Sequence, residues 1–214
     1  MTRTGEKKYI QIKRKMSCSP FCLHVMHQVR TRYPLLNSVI DLGSNTGRDV
    51  FHGFRKRSFD ATLRAPDCDV VRERIEPQHD NFPHYYDVFY SRSDVHALPY
   101  SDISLFLSNV HRHMVVNHSV FFIETHSIVD TEYDDGVSRY AVSNFKSPIG
   151  GGVCSQTLLR GSHLIELCED ARFDIVHFQE GGKKKPDPPV IRMELQKMVN
   201  HVSKPFFCEE YTCQ

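Results

Sequence analysis

Residues 38–50, SVIDLGSNTGRDV, carry the residue types in this chain best suited to chemistry. Asp41 closes an apolar run, Gly43 and Gly47 bracket Ser44, Asn45 and Thr46, and Arg48 and Asp49 follow. Glycines where a buried strand hands over to a helix let the backbone approach a ligand closely and adopt dihedrals barred to other residues. The helix that follows offers unpaired amides and the positive end of its dipole. Asp41, at the strand's end, is placed to accept hydrogen bonds from a ligand ammonium or from the loop's own amides. The pattern D-x-G-x-x-x-G lacks the third glycine of a dinucleotide fingerprint, and it lacks the Lys-Ser/Thr of a phosphate-cradling loop. The competing reading is a tight turn with no ligand.

Three further sets of residues bear on chemistry. Asp130, Tyr133, Asp134 and Asp135 form an acidic loop suited to a polar acceptor or a metal, with a solvated loop as the plainer reading. Arg139 and Arg160 are candidate anion contacts, for a sugar phosphate or RNA. Cys18, Cys22, His24 and His27 lie close together, but Cys-x3-Cys on an apolar helix matches no standard zinc knuckle, so small buried thiols beside surface histidines are expected and no metal is assigned.

The elements that must position these residues follow from periodicity. A helix is expected over 20–32, where Ser19-Pro20 suits a helix start and Phe21, Leu23, Val25, Met26 and Val29 recur at helical spacing. Strands are expected at 38–42, 60–65, 85–91, 119–127, 173–180 and 190–198. Helices are expected at 49–56, 67–75, 101–114 (capped by Ser101 or Asp102) and 155–171. Residues 128–155, polar and glycine-rich, are too long for a structureless loop and read as a lid or an insertion. Alternating strands and helices predict an α/β domain, a three-layer Rossmann-like sandwich with a mostly parallel sheet. The connection between the last two strands is too short for a crossover helix, so they should form an antiparallel hairpin that ends the sheet.

Size and charge set the limits. The 214 residues suffice for one well-buried domain, read as 17–199, between a basic leader at 1–16 and a tail at 200–214. The 40% apolar and 25% charged shares fit a soluble globular protein, and no apolar run reaches the ~20 residues of a membrane span. Seven cysteines without a regular framework fit reduced thiols, so a cytoplasmic setting is expected. The net charge is +1, with basic runs at Lys7–Lys15, Arg55–Arg57 and Lys183–Lys185 that would attract a phosphate backbone if they are not simply solvated.

Taken in order, the motifs resemble the class I S-adenosylmethionine-dependent methyltransferases. "VIDLGSNTGRD" resembles their first motif, and "YYDVFYSRSDVHALPYSD" their fourth, in the "YSR…LHA" form of small bacterial members. "LFLSNVHRHMVVNHSVFFIET" is similar to the helix, loop and fifth strand of the family, and "DPPVIR" to its antiparallel last strand. The resemblance implies S-adenosyl-L-methionine as cofactor. It implies that Asp41, Gly43, Ser44, Asn45 and Gly47 line the methionine and ribose, with Ser91 and Arg92 beside the sulfonium and His96 facing the substrate. The family's ribose-binding acid falls by simple counting on Arg64, so Asp60 and Asp67 are the nearby substitutes, with Asp67 preferred. Methyl transfer asks the protein to align donor and acceptor, and a hydroxyl acceptor also needs a base; His96, Glu124 and His126 are the candidates. Tyr133, Arg139 and Arg160 are the candidate acceptor contacts. A small polar molecule or glycan is one acceptor class; RNA, as in cap guanine-N7 methyltransferases, viral ones included, is another. A catalytically inactive interaction protein on the same fold is the reading from a different class.

Overall fold

The computed structural model describes residues 18–36, 38–43, 48–55, 60–64, 86–92, 94–129, 131–146, 153–181 and 189–197. The leader, the tail, the expected helix at 67–75 and the lysine run Lys183–Lys185 lie outside these residues.

Three α-helices and eight strands are described. Helix α1 (Pro20–Arg32) starts where Ser19 accepts a hydrogen bond from the Cys22 amide and Pro20 takes the first helical position. After strand β1 (Ser38–Leu42) and Gly43, residues 48–55 are helical where a helix is expected at 49–56, most of the run wound as a wide π turn, Val50–Phe54. Gly53 in that turn lets α1 come close: a Cβ there would lie 2.4 Å from the Cys22 Sγ. Then follow β2 (Asp60–Arg64), β3 (Val88–Arg92), a 3₁₀ turn (Val95–Ala97) and α2 (Tyr100–His113). The cap of α2 is Pro99, without a side-chain hydrogen bond, and not Ser101 or Asp102, which fall inside the first turn. Strand β4 (Val120–His126) is buried on both faces, as a central strand should be.

The segment after β4 differs from expectation. Residues 155–159 are not helical. They belong to β6 (Val153–Leu159), which pairs antiparallel with β5 (Tyr140–Lys146) as a separate two-stranded sheet. Helix α3 is therefore only Gly161–Asp170. Leu158 and Leu159 continue the apolar pattern of the helix by coincidence, because both are buried from a strand. The long glycine-rich stretch is thus an inserted hairpin, tied to the main body by the Ile128 amide donating to the Leu159 carbonyl and the Thr157 hydroxyl donating to the Leu98 carbonyl.

The main sheet has the order β2-β1-β3-β4-β8-β7, with β7 (Asp174–Gly181) and β8 (Val190–Gln196) closing the chain order. Strands β1 to β4 run parallel; β8 runs against both β4 and β7, so the expected hairpin is present with its second strand inserted toward the centre. One face of the sheet (Ile40, Leu42, Phe89, Phe121, Ile123, Met193) packs on α2 and α3, the other (Val39, Val88, Tyr90, Val120, Phe122) on α1 and the π turn. That is a three-layer α/β sandwich, and its parallel strands bring Gly43, Arg92 and His126 to one edge. Among the described residues, no helix is long and apolar enough to cross a membrane.

Candidate active site

At the carboxyl ends of β1 and β3, three carboxyl groups share one small region. Asp41 is 4% exposed and Asp49 3% exposed. Asp94 follows β3 and presses against β1: Gly43 has φ +71°, and a Cβ on it would sit 1.4 Å from the Asp94 Oδ1. The glycine is therefore required twice, for its left-handed dihedral and for the space that the Asp94 carboxyl fills. The Ser91 hydroxyl donates to Asp94 Oδ2 at 2.9 Å and holds it there.

Asp49 is the satisfied member. It accepts from the Ser19 amide and hydroxyl, both at 2.7 Å, from the Tyr90 hydroxyl at 2.7 Å and from Arg92 Nε at 2.9 Å. Burial pushes its carboxyl up, but those donors and the Arg92 charge outweigh it and hold Asp49 below the usual carboxylate range. Asp41 and Asp94 have no ion pair among the described residues. Burial first, then the charges of Asp94 and Asp49, raises Asp41 to about 8. Burial raises Asp94 to about 7, against the Ser91 hydrogen bond and Arg92.

These shifts fix the sign of a pH effect. The fold keeps a proton on Asp41 and Asp94 that the unfolded chain gives up near 3.8, so their contribution to stability is whole below that value and is lost as pH rises toward about 8. Asp49 acts oppositely, stabilising above its unfolded value and failing only in acid. Below about pH 6.5 the depressed His96 works the other way, so the urea midpoint of the protein alone should fall between about pH 6.5 and about pH 8, and Asp41→Asn should flatten that slope. An unchanged slope in the variant would contradict the assignment.

The expected bases fall into two groups. Glu124 is 9% exposed, and its Oε2 accepts from Arg192 Nε at 2.8 Å and forms a 2.7 Å ion pair with Arg192 Nη2. Arg92, Glu124 and Arg192 stand in register across β3, β4 and β8, a charge row within the sheet. Arg92 likewise points to Asp49, beneath the edge. His96 and His126 do come together: their rings stack with centroids 3.9 Å apart at 10°. His126 Nδ1 lies 3.3 Å from Gln156 Oε1 of β6, so the inserted hairpin helps orient it. Burial, then His126 and Arg92, drives His96 down to about 3, and its buried Nδ1 has no hydrogen-bond partner among the described residues.

Of the other expected site residues, Tyr133 is exposed, its hydroxyl accepting from Ser143. Arg160 is committed to Asp134 and the Ser138 carbonyl, and Arg139 lies 3.2 Å from Glu166. Ser44, Asn45, Gly47, Asp67 and Asp130 lie outside the described residues. Cys18 and Cys22 are buried while His24 and His27 are exposed, so the thiols and imidazoles of this segment diverge. Asp94, the partner of Gly43, went unread in the sequence; the signal was its place three residues after Ser91. The ring of donors around Asp49 left no local signal, since Ser19, Tyr90 and Arg92 are remote in sequence.

No protein-family model and no curated protein matches the sequence. Solved structures do. The glycopeptide N-methyltransferase MtfA complexed with S-adenosyl-L-methionine aligns with a TM-score of 0.60 at 13% identity, over 84% of this chain and 95% of that one. The sugar N-methyltransferase KedS8 from a Streptoalloteichus species aligns at 0.60 and 14%, over 90% and 92%. The 1,6-didemethyltoxoflavin-N1-methyltransferase of Burkholderia thailandensis aligns at 0.59 and 13%, over 90% and 83%. With its parallel strands, its reversed strand beside the centre and its glycine turn after β1, the chain has the Rossmann-like fold found in S-adenosylmethionine-dependent methyltransferases.

Proposed function

We propose that the protein is an S-adenosylmethionine-dependent methyltransferase acting on a small polar acceptor, an amine-bearing metabolite or sugar. The observation that carries this reading is the surplus of acid at the strand ends: beside Gly43, Asp41 and Asp94 have no ion pair among the described residues, and the Arg92 charge only partly offsets the burial that raises both. Such a pair suits a ligand that brings positive charge, and the cofactor brings two such groups, its sulfonium and its ammonium. When bound, the cofactor supplies an electrophilic methyl group.

This chain's part is placement. Asp41 takes the cofactor's ammonium, and Asp94, held by Ser91, faces its cationic side. His96 and His126 meet the acceptor. His96 is neutral and offers its unpaired Nδ1 for a hydrogen bond, and His126 is set by Gln156. The ion pair of Glu124 with Arg192 argues against Glu124 as a base. The small-acceptor reading is supported by the neighbours, whose names specify a glycopeptide, a sugar and 1,6-didemethyltoxoflavin.

Titration calorimetry with S-adenosylmethionine tests the proposal. Asp41→Asn should weaken binding at least tenfold, a loss of about 1.4 kcal/mol or more. Because ionising Asp41 opposes folding, the variant should melt no lower than the parent at alkaline pH. Undiminished affinity in the variant overturns the site; no binding by the parent at millimolar ligand favours an inactive scaffold.

A further inference from the structure

A second group of polar side chains gathers where the inserted hairpin meets α2 and α3. The Tyr100 hydroxyl lies 2.6 Å from His163 Nε2. His163 Nδ1 lies 3.1 Å from Glu166 Oε2, and Arg139 lies 3.2 Å from that same oxygen. His163 is 4% exposed, whereas the Glu166 side chain is 51% exposed. Tyr140 of β5 stacks face to face on Tyr100, centroids 3.9 Å apart at 3°.

The protonation pattern follows from the chemistry of the groups. An ionised carboxylate only accepts, so Glu166 fixes the His163 proton on Nδ1. In the neutral imidazole Nε2 then carries the lone pair, and the Tyr100 hydroxyl donates to it. The phenol oxygen keeps its own lone pairs free for another proton. This is the order of a nucleophile, a base and an orienting acid. Its place is the functional edge: Tyr100 opens α2 directly after the 3₁₀ turn that carries His96.

We propose that Tyr100 is an activated phenol, kept ready at the acceptor edge by a His163–Glu166 relay. Its use rests on the methyltransferase reading. The proton leaving the acceptor nitrogen or hydroxyl goes to the Tyr100 oxygen as the Tyr100 proton passes to His163 Nε2, and Glu166 pairs with the imidazolium formed. His163 and Glu166 are positioning residues. The stacked Tyr140 covers one face of the phenol ring.

Activation is measurable without an acceptor or cofactor, by reaction with an arylsulfonyl fluoride. There the phenol oxygen forms an S–O bond, the S–F bond breaks, fluoride leaves, and the proton goes to His163. Peptide mapping over time should find Tyr100 labelled at least tenfold faster than Tyr133 and Tyr140. Both are more exposed than the half-buried Tyr100, so accessibility alone predicts the reverse order. His163→Asn should remove the advantage, and Glu166→Gln, at a half-exposed position that tolerates change, should reduce it at least threefold. Tyr100 labelling no faster than Tyr133, or equal rates in the parent and in Glu166→Gln, overturns the relay. Calorimetry with S-adenosylmethionine on the same samples is a separate readout: lost cofactor binding would sink the methyltransferase reading and leave the labelling result standing.

Discussion

Asp49→Ala should cost the protein about 3–5 kcal/mol of folding stability, read as a lower urea midpoint at neutral pH. The carboxylate is 3% exposed and ties three elements together: Ser19 at the start of α1, Tyr90 and Arg92 on β3, and its own turn after β1. Truncation would leave the fully buried Tyr90 hydroxyl with only its 3.3 Å contact to Ser19, and would leave Arg92 without its counter-ion. Asp49→Asn should fall between, losing about 1–3 kcal/mol, because the amide keeps one acceptor but turns a donor toward donors. A loss below about 1 kcal/mol in the alanine variant would show that the network does not carry the fold as described.

The second large effect belongs to Gly43. Alanine there meets a left-handed backbone, which costs about 1–2 kcal/mol, and a carboxyl in the space that the new methyl needs. The 1.4 Å approach to Asp94 is far inside contact distance, so the Asp94 segment or the turn must move. Gly43→Ala should therefore lower stability and weaken S-adenosylmethionine binding at least a hundredfold. Adding Asp94→Ala should restore part of the stability, since only the dihedral strain then remains. If the double variant melts no higher than Gly43→Ala alone, the contact is not the source of the loss.

How much of this was readable from the chain depends on where each signal lay. Helix α1 and strand β1 matched their expected bounds because their punctuation is local: Ser19-Pro20 opens one, and the short segment Ser38–Leu42, with Val39, Ile40 and Leu42 apolar, is stopped by Gly43 in the other. Strand β6 was misread because Leu158 and Leu159 continue the apolar rhythm of α3, and nothing local marks Arg160 as the break. An acid at a strand end looks the same whether it is a base or half of an ion pair. The ion-pair partner of Glu124 is Arg192, 68 residues away. The stacking of His96 on His126 and the link between Tyr100 and His163 likewise join distant segments. Chemistry held within a few residues was visible. Chemistry assembled by the sheet was not.

The reversed strand beside the centre has a consequence for how the molecule is made. On a ribosome, β4 emerges about 65 residues before the segment that flanks it, so the nascent sheet has an open side until β8 has left the exit tunnel. During that interval β4, with Phe121, Phe122 and Ile123, is an unprotected edge, and β7 has no described neighbour through which to join the sheet. Synthesis halted just before residue 190 would thus yield an aggregation-prone fragment, even though the ends of β1, β3 and β4 that carry the candidate site are already present in it.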